Sequence, residues 1–199
     1  MSTGGSVLKI IKVAVLGVFF VSGAAWSNNL QVAEAARKQI GKTIQYDPRY
    51  VKLAYPMGDV PEVAGVCSDV VIRALRVNQV DLQVLVHEDM SQHFNQYPNS
   101  WGLKRTDKNI DHRRVPNLEV FFKRQGKSLP VTQDGKNYHA GDIISWRLDN
   151  GLPHIGIVSM NKVANTQRPL VIHNIGAGVR EEDVLFEWKM IGHYRYYKN

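Results

Sequence analysis

The chain has 199 residues, of which 44% are hydrophobic and 22% charged, with a formal net charge of +7 at pH 7. This composition is typical of a globular protein and excludes a largely disordered chain. A single cysteine excludes an internal disulfide, and no basic run is interleaved with aromatic residues as in a nucleic-acid-binding module.

The N-terminal stretch has the pattern of a secretory signal peptide. Lys9 and Lys12 precede an apolar run over 13–21, and small residues over 22–25 offer a cleavage point. A retained anchor is the alternative, but the run is shorter than the roughly 20 residues that a spanning helix needs. We expect cleavage of residues 1–25, a single domain over 26–199, a periplasmic location and no stable membrane insertion afterwards.

The first half of the mature chain predicts helices separated by turn-rich loops. Asn28 or Asn29 is expected to cap a first helix that ends at Gly41. The other helices are expected from the cysteine to about 77–78, over 81–90, and from a cap at Asn117 to Gly126.

From residue 129 onward the pattern predicts short strands. These are expected over 143–148, 154–159, 170–175, 184–188 and 191–197, with Asp134-Gly135 as a hairpin turn. Helices followed by an antiparallel sheet predict an α+β fold.

Cys67 is the first candidate for a functional residue. Apolar residues recur at helical spacing after it, which places Cys67 in the first turn of a helix. The helix dipole is expected to lower the thiol pKa there and supply a nucleophile. An inert buried thiol is the alternative.

Two histidines supply the groups that a cysteine nucleophile requires. His154 and His173 lie in consecutive predicted strands, which are expected to pair. If both face the cysteine helix, Cys67, His154 and His173 form a nucleophile, a base and an orienting group. The backbone N–H of Cys67 is then a natural oxyanion donor. A one-residue register shift would put Asn174 in the third role.

The same residues carry a family resemblance. The runs Val66-Cys67-Ser68-Asp69, Gly141-Asp142-Ile143-Ile144, His154-Ile155-Gly156-Ile157-Val158 and Ile172-His173 resemble the NlpC-type peptidases, papain-like cysteine hydrolases of the bacterial cell wall. Runs such as Val-Cys-Ser-Asp-Val-Val-Ile-Arg-Ala and Asp-His-Arg-Arg-Val-Pro-Asn are similar to the YijF-type exported proteins of Gram-negative bacteria. The resemblance implies a papain-like fold and a Cys67–His154–His173 amidase that needs no cofactor.

The resemblance is weaker at the position beside the cysteine that contacts substrate in the family. Many NlpC-type enzymes have aspartate directly before the cysteine, where it helps to read the amine of a stem peptide, but this chain has Val66 there. The candidates for substrate contact are Asp69, Tyr46, whose loop leads to the cysteine helix and could face a cleft, and Arg114, whose Asp-His-Arg-Arg run could bind acidic groups. For the run around Arg114, a solvated loop with internal ion pairs is the alternative. His87, Asp89 and His93 fit no tight metal motif, so no metal site is predicted.

These features predict a periplasmic cysteine hydrolase that cleaves an amide bond in peptidoglycan peptides through an acyl-enzyme on Cys67. Two alternatives stay open. One is a non-catalytic module that binds the cell wall through aromatic residues such as Trp101, Trp146 and Trp188. The other is a papain-like acyltransferase.

Overall fold

The computed structural model describes Met1, the backbone of residues 22–197 and the side chains from Asn28 to Tyr197. Most of the predicted signal peptide therefore lies outside the described residues. The expected cleavage point at 22–25 opens the first helix, α1 (Ser22–Arg37). Within the described part of the chain, no helix has the length and apolar character that crossing a membrane requires.

The predicted N-cap of α1 is wrong, because the helix runs through both asparagines. Asn29 instead donates from Nδ2 to the backbone oxygen of Tyr197 at 2.7 Å. The C-terminal end agrees better with the prediction, since turns follow Arg37 and Gly41 takes a φ of +79°.

Three further α-helices lie in the described residues at the predicted places: α2 (Cys67–Arg76), α3 (Leu82–Gln92) and α4 (Val115–Arg124). Asn117 does not cap α4, which already begins at Val115. Its side chain is buried and donates to the backbone oxygen of Asp111 at 3.0 Å. Near the end of α2, Gln79 rather than the predicted Asn78 takes the left-handed conformation, with a φ of 61°.

The strands form two sheets. Two short strands, β1 (Gln45–Tyr46) and β2 (Ala64–Gly65), pair in parallel just before α2. The second sheet has six antiparallel strands in the order β3-β8-β4-β5-β6-β7. They are β3 (Ser128–Leu129), β4 (Ile143–Arg147), β5 (Pro153–Lys162), β6 (Pro169–Asn174), β7 (Val179–Glu182) and β8 (Lys189–Tyr194). The predicted α+β class is confirmed.

Two local predictions in this half are wrong. The apolar run at 184–188 forms a turn, in which the Leu185 carbonyl accepts a hydrogen bond from Trp146 Nε1 at 3.1 Å. Its apolar character comes from covering the sheet. Asp134-Gly135 is not a hairpin turn, since Asp134 caps a single 3₁₀ turn by accepting from the Lys136 N–H at 3.0 Å.

The two faces of the large sheet bury different layers. One face packs against the helices through Ile143, Ile155, Ile157 and Ile172. The opposite face carries Ile144, Trp146, Val158 and Val171 under Leu185. Because side chains alternate along a strand, His154 and His173 lie on this second face, away from the helices.

Candidate functional site

Cys67 is the first residue of α2 and is held from the sheet side by Asn174. Asn174 Nδ2 donates to the backbone oxygens of Gly65, at 3.0 Å, and Gln45, at 3.2 Å. The strand end that carries His173 is thereby tied to the chain just before the cysteine. Asn174 thus holds the backbone, and none of its hydrogen bonds within the described residues goes to His154.

Asp69 closes the first turn of α2 and binds Arg113. One carboxylate oxygen accepts from the Val66 N–H at 2.6 Å, and both oxygens are bound by Arg113, at 2.9 Å from Nε and 2.8 Å from Nη2. The Ser68 hydroxyl donates to the backbone oxygen of Arg113 at 2.6 Å. The paired side chains are 2% and 4% exposed, so Asp69 lies behind the cysteine with its oxygens occupied.

The two histidines form a hydrogen-bonded pair. β5 and β6 are antiparallel, with Ile157 opposite Ile172, as the predicted pairing requires. His154 Nε2 lies 2.8 Å from His173 Nδ1. On its other side, His173 Nε2 lies 3.0 Å from Glu182 Oε2, although the two groups are not aligned for a good hydrogen bond. The register therefore places His173, and not Asn174, beside His154.

Aromatic rings and a glycine fix the position of this pair. Trp146 stacks on His154 with ring centroids 5.8 Å apart, and Trp188 meets both imidazoles edge-on. A Cβ on Gly156 would lie 3.1 Å from the Cβ of His173 and 2.9 Å from a methyl group of Val171. The glycine of the His-Ile-Gly-Ile run thus allows β5 and β6 to approach closely.

Cys67 and His154 both line a cleft of about 630 Å³. Tyr46, Trp101, Arg113 and Arg114 line the same cleft. The expectation that both imidazoles point into the layer between helix and sheet is wrong, because isoleucines occupy that face. The histidines face the other side, and His154 alone of the two lines the cleft, near the start of β5. No hydrogen bond joins the Cys67 sulfur to His154 among the described residues.

Ionisation of the site differs from the sequence-based expectation. Burial, followed by the charge of Asp69, raises the pKa of Cys67 to about 12, although backbone N–H groups of Ile155 and Ser68 pull it down. The predicted lowering of the thiol pKa is therefore wrong, because burial outweighs the helix N-terminus. Burial, and then His173, lowers the pKa of His154 to about 3. The resting site holds a neutral thiol and a neutral imidazole.

Two of the candidate substrate residues line the same cleft as Cys67. Burial, with smaller contributions from Cys67 and Asp69, raises the pKa of Tyr46 to about 12, so its hydroxyl stays protonated. The Arg114 guanidinium lies 4.1 Å from the centre of the Trp101 ring. Both side chains are therefore placed to touch a molecule in the cleft, whereas Asp69 is not.

The described residues contain no group of three or more His, Cys, Asp or Glu side chains that could hold a metal ion. Asp89 is instead bound by the Tyr97 hydroxyl at 2.6 Å and by Arg124 at 2.7 Å. The ring of His87 packs against Tyr55. These side chains join α3 to its neighbours.

Glu182 is the site residue that the sequence analysis missed. It lies on β7, which pairs with β6 so that Val171 is opposite Glu182. The turn over 176–178 indicates that a following strand returns alongside the strand of His173. Alternate side chains of that strand, Glu182 among them, would then share the face of His173. Trp188 was missed as a neighbour of the histidines because its run was assigned to a strand.

Comparisons with known proteins place the chain in a family. The family model described as "Domain of unknown function (DUF1287)" matches residues 33–196. The chain is 63% identical over 171 residues to the protein named "Uncharacterized protein YijF" of Escherichia coli (strain K12), covering 86% of this chain and 83% of that protein. Among solved structures, NlpC1 from Trichomonas vaginalis matches with a TM-score of 0.46 and 15% identity, over 86% of this chain and 45% of that one. This chain thus spans less than half the length of that structure. The family match covers most of the sequence, and the chain belongs to the DUF1287 family.

Proposed function

We propose that the chain is an exported cysteine hydrolase that cleaves an amide bond in peptidoglycan peptides through an acyl-enzyme on Cys67. The observation that carries the proposal is the row of groups from His154 through His173 to Glu182 beside the cleft that Cys67 lines. A nucleophile, a base and a group that orients the base are the set that thiol hydrolysis requires.

The row supports Nδ1 of His154 as the base. The Glu182 carboxylate only accepts, so it favours a proton on His173 Nε2. His173 Nδ1 then accepts a hydrogen bond from the N–H at Nε2 of His154. His154 Nδ1 is left with a free lone pair, which is the form a general base needs.

The proposed reaction starts from the neutral pair. As the Cys67 sulfur attacks the amide carbon, its proton passes to His154 Nδ1, and the backbone N–H of Cys67 donates to the developing oxyanion. His154 then protonates the leaving amine, the C–N bond breaks and a thioester remains. Water, deprotonated by His154, cleaves the thioester and releases an acid, and the proton returns to sulfur. The low pKa of His154 favours its neutral form at neutral pH.

The direct test is turnover of purified peptidoglycan, with mass spectrometry of the muropeptides before and after incubation. We expect new peptides that differ by cleavage of one amide bond, and none with Cys67→Ala at an unchanged melting temperature. Products from folded Cys67→Ala would contradict the proposal. Transfer of a labelled acyl group from phospholipid to Cys67, without peptide cleavage, would instead favour the acyltransferase.

A non-catalytic cell-wall-binding module is the second candidate, and the state of the thiol favours it. Cys67 is 4% exposed and its pKa is raised, as expected of a structural cysteine. Sedimentation with purified cell wall separates the two. A module would bind equally well with and without Cys67 and would leave the muropeptide profile unchanged.

A further inference from the structure

We infer that the cleft binds a peptide through a carboxylate, and that Arg114 is the residue that binds it. The inference rests on the proposed function only in treating the bound peptide as a substrate, because binding itself needs no turnover. It names a substrate class that neither the family match nor the relatives indicate.

Arg114 has carboxylates near it, Asp111 and Asp107, but none of them is found at hydrogen-bonding distance among the described residues. Its Nη1 is buried without a hydrogen bond. The nearest carboxylate oxygen recorded for this nitrogen, Asp111 Oδ1, lies 3.9 Å away, beyond hydrogen-bonding distance. Nη1 is closed to solvent, so a ligand in the cleft meets the other nitrogens of this 18% exposed side chain, for which no hydrogen bond is found among the described residues. A partly buried guanidinium in this state gains free energy when an anion binds it.

Arg113 provides the contrast within the same cleft wall. Its Nε and Nη2 are taken by both oxygens of Asp69, and the pair is almost completely buried. Arg114 instead lies over the face of Trp101, which fixes the plane of the guanidinium and leaves its N–H groups at the edge. Of the two adjacent arginines, Arg113 has a carboxylate at hydrogen-bonding distance and Arg114 does not.

The other residues that line the cleft indicate the sign of the ligand's charge and the number of its charged groups. No Asp or Glu is found among the described residues that line it, so a free amine would meet no carboxylate there. Leu148, Leu152 and Pro153 contribute apolar surface to the lining. One available guanidinium beside apolar walls suits one carboxylate on a peptide, whereas a polyanion would call for several cations.

The test measures binding by calorimetry with full-length Cys67→Ala, so that turnover cannot interfere. The two probes are a stem tetrapeptide with free carboxylates and the same peptide with all its carboxylates amidated. We expect the acid to bind about 10- to 100-fold more tightly, as for a charge-assisted hydrogen bond. Peptides amidated at one position identify the carboxylate that is bound.

Variants assign the effect to Arg114. Adding Arg114→Gln should remove the preference for the acid and leave the affinity for the amide unchanged. Lys123→Gln is the matched control, because it removes one positive charge from the exposed far end of α4, about 14 Å from Arg114 along the helix. It should keep the preference. Melting temperatures check that each variant is folded.

Equal affinity of Cys67→Ala for the acid and the amide would overturn the inference without any change at Arg114. So would a preference that survives in folded Arg114→Gln. Failure of the proposed function gives a different result: the acid is preferred, but protein with Cys67 intact makes no product. Turnover without a preference between acid and amide would contradict the inference and leave the hydrolase proposal standing.

Discussion

Cys67 is held as a neutral thiol because burial raises its pKa to about 12, although backbone N–H groups of Ile155 and Ser68 face the sulfur. A helix N-terminus lowers a thiol pKa most when water or a cation also stabilises the thiolate. Cys67 is only 4% exposed, so little water reaches its sulfur. The negative charge of Asp69 nearby disfavours the thiolate instead of stabilising it as a cation would. Proton transfer to His154 is therefore expected to occur with the attack on substrate rather than before it.

The reaction of Cys67 with iodoacetamide tests this ionisation state. We expect the rate constant in the free protein to rise about tenfold per pH unit from pH 6 to pH 9 without a plateau, because the thiolate fraction is still small there. A plateau below pH 8 would show a thiolate–imidazolium pair already formed. Cys67 is the only cysteine in the chain, so Cys67→Ala gives the background.

Glu182 is expected to act through His173 rather than on substrate. Glu182→Ala removes the acceptor 3.0 Å from His173 Nε2 and lets His154 take the wrong tautomer, so kcat/KM on muropeptides should fall about 10-fold. Glu182→Gln keeps an amide oxygen as acceptor and should recover most of the rate.

Glu181→Ala is the matched control for Glu182. Alternation along β7 puts Glu181 on the opposite face, where it binds Arg37 at 3.0 Å. This variant removes the same charge from the same strand but should leave kcat/KM unchanged. Equal losses in Glu181→Ala and Glu182→Ala would point to a general effect on β7 and contradict the orienting role.

At the scale of elements, the site depends on how α2 is tied to the segment before α4. Asp69→Asn would leave the Arg113 guanidinium buried without its charge partner, at 2% exposure. We expect a loss of about 3 kcal/mol in the free energy of unfolding, measured by denaturant titration. The exposed pair Arg168–Asp183 is the control, and Asp183→Asn should cost less than about 1 kcal/mol. Equal losses would contradict the structural role of Asp69.

The contact between β5 and β6 can be tested through Gly156. Gly156→Ala puts a methyl group 2.9 Å from Val171 Cγ1 and 3.1 Å from His173 Cβ, so one strand must shift. We expect a loss of about 1–3 kcal/mol in stability, as for overpacking, with a fall in kcat/KM because His173 moves from His154. An alanine variant with wild-type stability and activity would show that this close approach is not needed.

Part of this architecture could be predicted from the sequence. The consecutive order of the strands at His154 and His173 predicted their pairing, and helical spacing after Cys67 predicted α2. Alternation alone could not predict which face of the sheet carries the histidines, because tertiary packing decides which face the helices cover. Asn117 and 184–188 were misassigned for the same reason, since their side chains serve the interior rather than a cap or a strand.

At the scale of the whole molecule, buried imidazoles make the fold sensitive to acid. The pKa of His112 is lowered to about 4 and that of His154 to about 3, each chiefly by burial. The unfolded chain binds these protons near pH 6.5, so stability is lost as pH falls below that value. Asp111, with its pKa raised to about 6, partly opposes the loss, because its contribution is present at low pH and is lost as pH rises through 6.

We expect the free energy of unfolding to fall by on the order of 3 kcal/mol between pH 7 and pH 5, with about 2 kcal/mol from each histidine and about 1 kcal/mol regained at Asp111. Denaturant titrations at several pH values measure this slope. His112→Gln should reduce this fall in the free energy of unfolding by about 2 kcal/mol over the same pH range, whatever its effect on stability at pH 7. A flat profile for the wild-type protein would contradict the burial of both rings.

The central claim is that Cys67 forms a covalent acyl-enzyme with a peptide held in the cleft. Acid-quenched mass spectrometry of the intact protein, milliseconds to seconds after mixing with muropeptides, tests it most directly. We expect a transient mass increase equal to the acyl portion of the peptide, mapped to Cys67, removed by hydroxylamine and absent from Cys67→Ala. Cleaved peptides formed at the same rate by folded Cys67→Ala, with no adduct on the wild-type protein, would contradict the claim.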